Sequence, residues 1–536
     1  MRRIATRVST LQLMLLAIVM MCCCDLVNSI NSMKSRGRKK AKTNLCHIKD
    51  QTAPMNCNCF NQHNGTGIDC WVVKPLAPED PFWEHFASQT HLEKLLLKQH
   101  ENGILDYVPT HLLHKLKNLR VFELYYMQIT QIAEHTFTNF SLYELRVTDS
   151  KISTLRNYSF ENMKDLVTLD LGRNNISTID RNTFVNLPSL RTLYLDRNQI
   201  GVVHDKALKH LTMLQKLVLN HNKIRTITRD TFHGLHNMQH LDLRYNDVQM
   251  IGVSNFAEMS ELKVLQLDNN RIEAIEMHAF QGMRKLRRLY ISGNRLTELK
   301  TDFLVGAPHV QFLDLRHNVL KTMPFEIVKP IVLNLYNDNS SFYLNDNKLY
   351  CDCSLTWIWG LRNETRNIQM RSLLERLICY YESNDTEKVY GEYPDRNLAQ
   401  ERNQQQEIMQ NLEENTADNS RYSELDEEGN REEDERENID EPEIDAPLPK
   451  VGVKADCDGK VCYTKRLLSM KTEDLPCVKH THELMASEQP SSHLEKARAG
   501  LSGSNWFSSS AEATSSVLVV SLLPFLFVIV VPPLFT

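Results

Sequence analysis

Through the middle of the chain an apolar residue returns every 24 positions: Leu142, Leu166, Leu190, Leu214, Met238, Leu262, Leu286 and Val310. Leu119 stands 23 residues before this series and Leu92 a further 27 before that. Each period opens in the same way, as in Leu166-x-x-Leu169-x-Leu171-x-x-Asn174-x-Ile176 and Leu214-x-x-Leu217-x-Leu219-x-x-Asn222-x-Ile224. Leu169 and Leu171 are two apart, so both point to one face of a short strand, and Asp170 points to the other. Further along each period comes an aromatic, as Phe160, Phe184, Phe232, Phe256 and Phe280. An amphipathic helix would place apolar residues three and four apart but gives no reason for a fixed 24-residue return. One period cannot bury its own leucines. Stacked periods can, by pairing their strands in parallel around a continuous core.

The recurring Asn174, Asn198, Asn222, Asn246, Asn270, Asn294 and Asn318 have a structural reading. An amide side chain both donates and accepts, so it can satisfy backbone groups that each turn leaves inside. The expected fold is an α/β-type solenoid, a leucine-rich-repeat horseshoe with a parallel concave sheet over 92–349.

The two ends of the chain carry different patterns. Arg2, Arg3 and Arg7 precede the apolar run Leu11 to Cys24, which is too short to span a bilayer and reads as a signal peptide over 1–29. A basic arm follows over 30–45, with Lys34, Arg36, Arg38, Lys39, Lys40 and Lys42. It reads as a solvated tail, a processing site, a patch for heparan sulfate, or a strip that meets the acidic segment of an apposed molecule. At the other end Val517 to Phe535 is almost wholly apolar and no Lys or Arg follows. Small residues at 501–505, a spacer to 516 and an apolar tail over 517–536 have the layout of a glycolipid (GPI) attachment signal, with Gly503, Ser502, Ser504 and Asn505 as candidate sites. A single-pass helix is the alternative, disfavoured by Pro524, Pro532 and Pro533.

The chain has 536 residues and 13 cysteines. Ten remain once Cys22, Cys23 and Cys24 leave with the signal, an even number that suits disulfides outside the cell. Sequons at Asn64, Asn139, Asn157, Asn175, Asn339, Asn363 and Asn384 point to the same compartment. The net charge of −5 averages the basic arm against an acidic insertion over 382–447, expected to be disordered, so it says little about partners.

An open solenoid end exposes its core and needs a cap. Cys46, Cys57, Cys59 and Cys70 stand just before the first period, within 46–75. Phe342-x-Leu344-x-x-Asn347-x-Leu349 is a last half-period running into Cys351-Asp-Cys353-Ser-Leu-Thr-Trp-Ile-Trp-Gly-Leu-Arg-Asn-Glu-Thr-Arg366. With the acidic insertion and the apolar C-terminus, this arrangement resembles the connectin-like, glycolipid-anchored leucine-rich-repeat adhesion proteins of the cell surface. The resemblance implies cysteine caps in which Cys46 pairs with Cys59, Cys57 with Cys70 and Cys351 with Cys379, the last within 351–381. Cys457, Cys462 and Cys477, in the tail 448–500, all compete for Cys353. Zinc is a poor alternative in an oxidising compartment, and no metal or other cofactor is expected. The resemblance also implies homophilic adhesion in neuronal target recognition, such as axon to muscle.

The outward lanes of the sheet hold the candidate protein-binding residues Tyr125, Tyr126, Arg173, Tyr194, Arg197, Arg244, Tyr245, Tyr290 and Arg316. Tyr and Arg dominate interface energetics, and mixed charge suits a self-complementary contact. The other partners to weigh are a heterophilic ligand with a transmembrane co-receptor, or a matrix role, against which the apolar tail counts. No nucleic-acid partner is implied. No catalytic arrangement emerges: His482-Glu-Leu-Met-Ala486 lacks the second His of a zinc-protease helix, Gly65-Thr-Gly67 lacks a phosphate loop's Gly-Lys-Ser/Thr, and there is no Gly-x-Ser-x-Gly. The chain is not expected to be an enzyme.

Overall fold

The computed structural model of the protein describes residues 45–48, 52–62, 65–382, 451–457 and 460–477. All fall in one compact unit, Met1–Ala486, and a second unit, Ser487–Thr536, lies outside them. The signal peptide, the basic residues 34–42, the acidic insertion, the sequons Asn64 and Asn384, and the attachment candidates 502–505 also lie outside the described residues. Among the described residues no helix is long and apolar enough to cross a membrane.

The third to fifth positions of each period form a strand, and thirteen strands join in one sheet. The first two, Met55–Gln62 and Gly65–Val72, make an antiparallel hairpin. From Gly65–Val72 onward every neighbour is parallel, through Leu92–Gln99 to Ser341–Tyr343. Register follows the period: Leu169 pairs with Leu145 on one side and Leu193 on the other. Leu169, Leu171, Leu193, Leu217, Leu241 and Leu265 are all fully buried. Each such side chain contributes about 1.5–3 kcal/mol relative to exposure. On the opposite side of the coil the aromatic lane stacks, Phe137 on Phe160 at 5.3 Å and Phe160 on Phe184 at 5.5 Å. Leu208 interrupts it, and stacking resumes from Phe232 to Phe256 at 6.0 Å. This is a leucine-rich-repeat solenoid with disulfide-bonded caps.

The Asn ladder holds neighbouring coils together. Asn198 Nδ2 donates to the carbonyls of Leu171, Leu195 and Asp196, and its Oδ1 accepts from the Ile176 N–H. Asn222, Asn246, Asn270, Asn294 and Asn318 repeat the pattern. The two earlier coils depart from it. Met127 and Ser150 occupy the Asn position, and Ser150 Oγ accepts from the Met127 N–H at 3.0 Å and donates to the Thr148 carbonyl at 3.0 Å, a different pair of bonds from the amide's.

Disulfides Cys46–Cys59 and Cys57–Cys70 close the N-terminal hairpin, where Cys57 and Cys70 are register partners. At the C-terminal end Cys351 joins Cys379, Cys353 joins Cys477, and Cys457 joins Cys462. The tail therefore completes the cap. Lys460–Arg466 pairs antiparallel with Ile378–Glu382 on one side and Lys454–Cys457 on the other. Glu382 and Lys454, on either side of the insertion in sequence, both belong to one small three-stranded sheet. Trp357, in the helix Trp357–Glu364, donates its indole N–H to the Met323 carbonyl at 2.7 Å and ties the cap to the last full coil.

Candidate functional site

The outward face of the long sheet is built from three rows, one residue per coil in each. The first runs through Glu123, Arg146, Asp170, Tyr194, Val218, Asp242, Gln266, Tyr290 and Asp314, as the strand register requires. Strands about 4.8 Å apart bring each of these side chains against the next. The row consequently covers itself. Glu123, Val218, Asp242, Gln266, Tyr290 and Asp314 are buried although they point away from the core.

Charge pairing does much of the covering. Glu123 accepts from Lys94 at 3.1 Å and from Tyr125 Oη at 2.9 Å. Arg146 reaches Glu144, with Glu123 and Asp170 each at 4.0 Å. Arg244 grips Asp242 through Nε at 3.1 Å and Nη2 at 2.9 Å, and Asn220 donates to the same carboxylate at 2.6 Å. Arg316 grips Asp314 in the same way and lies 4.9 Å over the Tyr343 ring.

Burial also changes the acids of the first row and of the second, which runs through Tyr125, Thr148, Gly172, Asp196, Asn220, Arg244, Asp268, Ser292 and Arg316. It pushes Asp170 up to about 6, against the Gly172 N–H that donates to it. It pushes Asp268 up to about 7, opposed by the Ser292 hydroxyl and reinforced by Asp314. Asp196 is raised as well, again by burial.

These findings divide the nine candidate binding residues. Tyr290 was expected to be exposed and is only 5% exposed, packed in a cluster with Phe312, Tyr343 and Leu373. Leu373 belongs to the cap helix Ile368–Glu375, which lies over the end of the sheet. Tyr125, Tyr194, Arg244 and Arg316 are half-buried within the paired rows. Tyr126, Arg173, Arg197 and Tyr245 are exposed. All four of these belong to the third row.

That row shares one left-handed backbone conformation, which also occurs outside it, at His135, Tyr158, Lys206, Ser254 and His278 among others. Tyr126, Asp149, Arg173, Arg197, His221, Tyr245, Asn269, Gly293, His317 and Asp346 all have φ between 50° and 64°. The cause is the turn that follows each strand. The N–H of Arg173 still donates to the next coil, to Asp196 O at 2.9 Å, as Arg197 does to Asn220 O and Tyr245 to Asp268 O. The chain must then twist at once to swing the following Asn into the interior, and the left-handed conformation makes that twist. It costs a residue with Cβ about 1–2 kcal/mol, least for Asn and Asp. Gly293 alone in the row avoids the cost, and there a Cβ would meet Asn269 Oδ1 at 2.5 Å. Elsewhere the row carries large side chains with Cβ. His221 stacks on Tyr245 at 4.3 Å, and Arg173 lies 3.5 Å from Asp149. Burial and then Arg197 lower the His221 pKa. Asp149, Asn269, Gly293 and Asp346 complete the row and escape a reading that looks for Tyr and Arg alone, although the 24-residue register contains them.

The sequons Asn139, Asn157, Asn175, Asn339 and Asn363 are exposed, and none belongs to the three rows. No group of three or more His, Cys, Asp or Glu side chains able to hold a metal occurs among the described residues.

A leucine rich repeat family model matches residues 140–200, 190–248, 242–296 and 260–320. Over this span the solenoid carries the leucine rich repeat pattern. A stretch of 74 residues is similar to connectin of Drosophila melanogaster, 42% identical, which is 14% of this chain and 11% of that protein. Among solved structures, the glycosylated Toll–Spatzle complex from Drosophila aligns with TM-score 0.46 and 22% identity, over 57% of this chain and 44% of that one. The TLR13–ssRNA13 complex aligns with TM-score 0.31 and 19% identity, over 55% and 59%. The chain thus spans about a tenth of the curated relative and half or so of the solved chains.

Proposed function

We propose that the protein is a cell-surface recognition and adhesion molecule that binds another protein through the left-handed row at the edge of its sheet. The observation that carries this is the residue choice at that row. Six coils place Tyr, Arg or His where Asn or Gly would fit the backbone at lower cost. Strain accepted at exposed positions is a reasonable pointer to function. Exposed Tyr and Arg are also the side chains best suited to anchor a protein interface. The half-buried rows beside it act as a pre-organised support.

The family resemblance implies that the partner is a second copy on an apposed cell, and that a glycolipid at Gly503 or a neighbour holds the chain to the membrane. Five disulfides among the described residues suit an extracellular life. The test is aggregation of non-adhesive cells expressing the full chain, mixed with labelled non-expressing cells, before and after phospholipase C. Aggregates of expressing cells alone, dispersed by the enzyme, are the expected result. Normal display without aggregation would point to a heterophilic partner, and display that resists release would contradict the anchor.

A further inference from the structure

The opposite edge of the sheet, where the chain enters each strand, carries a feature that the adhesion reading does not use. Arg284-Lys285-Leu286-Arg287-Arg288 runs from the turn of one coil into the strand of the next. Met283, Leu286 and Leu289 are fully buried and pin the run to the core. Arg284, Lys285, Arg287 and Arg288 between them are all exposed. Lys263, also exposed, occupies the position of Arg287 one coil earlier. Its carbonyl accepts from the N–H groups of Arg287 at 2.8 Å and Arg288 at 3.1 Å, so the two coils present their cations as one fixed array.

The cluster is local. Where Lys285 stands, the earlier coils have Ser189, Met213 and Asn237, and where Arg287 stands they have Val167, Arg191, Gln215 and Gln239, so an isolated cation recurs once but the cluster does not. Glu261 pairs with Lys285 at 2.6 Å, Lys263 Nζ donates to Gln239 Oε1 at 2.9 Å, and Arg287 Nη1 donates to the His309 carbonyl at 3.2 Å.

We propose that this edge binds a linear sulfated glycan. Four of the cations lie along one stretch of chain and Lys263 stands one coil away, about 4.8 Å across the strand spacing, a compact array that suits several oxyanions of one polymer. Three of the five are Arg, whose planar fork grips two oxygens of one oxyanion. Short Arg- and Lys-rich runs of this kind attract nucleic acids or heparin-like chains, and five disulfides place the protein where the second kind is met. The chain's own acidic run, 424–445, is the competing polyanion. A flexible peptide loses backbone and side-chain freedom at every residue it lays down, whereas a stiff sugar chain loses far less. The glycan edge and the left-handed row lie at opposite ends of the same short strands, so one molecule could hold a glycan and a protein partner together.

Heparin is the probe, immobilised and titrated with the purified full chain across a salt series. The variant R284Q/K285Q/R287Q/R288Q is expected to bind at least tenfold more weakly at physiological salt and to elute at lower salt, while R287K/R288K, which keeps the charge but loses the fork, falls between the variant and the parent. Thermal melts verify folding, and the single variants R287Q and R288Q, each at an exposed position, replace the quadruple variant if it melts early. A variant lacking residues 34–42 separates this site from the basic arm. Binding within twofold of the parent in the quadruple variant would overturn the proposal, as would loss of binding on removing the arm alone. Heparin binding that appears only after deletion of 424–445 would also overturn it, by showing that the acidic run already occupies the edge. Aggregation does not enter the readout, so failure here leaves the adhesion reading standing and the reverse also holds.

Discussion

Two adjacent positions of the repeat behave in opposite ways. The residue that turns into the interior is Asn from Asn174 to Asn318, and each copy makes the same bonds to the coil before it. The residue just before it shares one backbone conformation in every coil, yet its side chain runs through Tyr, Asp, Arg, His, Asn and Gly. Uniform chemistry in a uniform environment marks what the fold needs. Varied, bulky chemistry in a uniform and costly environment marks what the fold leaves open for a partner. Repetition alone would have directed attention to the wrong one of the two.

The comparison can be broken first at its structural side. Asn222→Leu removes the buried donors to the Leu195 and Leu219 carbonyls, the part-buried one to the Asn220 carbonyl, and the buried acceptor for the Ile200 N–H. We expect a loss of about 2–4 kcal/mol, read from the urea midpoint. Leu373→Ala tests whether the cap helix seals the end of the sheet. It should cost about 2–3 kcal/mol and open the Tyr290, Phe312 and Tyr343 cluster to solvent. An unchanged midpoint would mean that the cap only rests there.

The supporting rows make a smaller, pH-dependent contribution. Asp268 is pushed up to about 7 in the folded protein from an ordinary 3.8. Between those values the folded state holds a proton that the unfolded state has released, so stability falls as pH rises from about 4 to 7. Asp268→Asn should remove a share of that slope, on the order of 1–2 kcal/mol across the window. Parallel denaturation curves for parent and variant at every pH would refute the burial assigned to this carboxylate.

Much of this architecture was legible from spacing. The coils, the Asn ladder and the phenylalanine lane all follow from a 24-residue period, because each depends on local register. What was not legible depends on neighbours far apart in sequence. Alternation says that Tyr290 points away from the leucine core, but not that a helix 80 residues later covers it. Nor does it say that side chains on adjacent parallel strands bury one another, as Asp242 and Gln266 do. The partner of Cys353 could not be chosen from spacing, since Cys477 lies 124 residues on, beyond the insertion. The third row was half legible. Its Tyr, Arg and His members attract notice by type, but their shared conformation, which gives them their meaning, belongs to the backbone.

The smallest expected change in stability belongs to the residues expected to matter most for binding. In Tyr126→Asn, Arg173→Asn, Arg197→Asn and Tyr245→Asn combined, each substitution eases the left-handed backbone. The decisive measurement is the melting temperature of this variant together with its aggregation of expressing cells at matched surface display. The account predicts a melting temperature equal to or above the parent's and aggregation reduced at least tenfold. A variant that is equally stable and aggregates as well as the parent would contradict it.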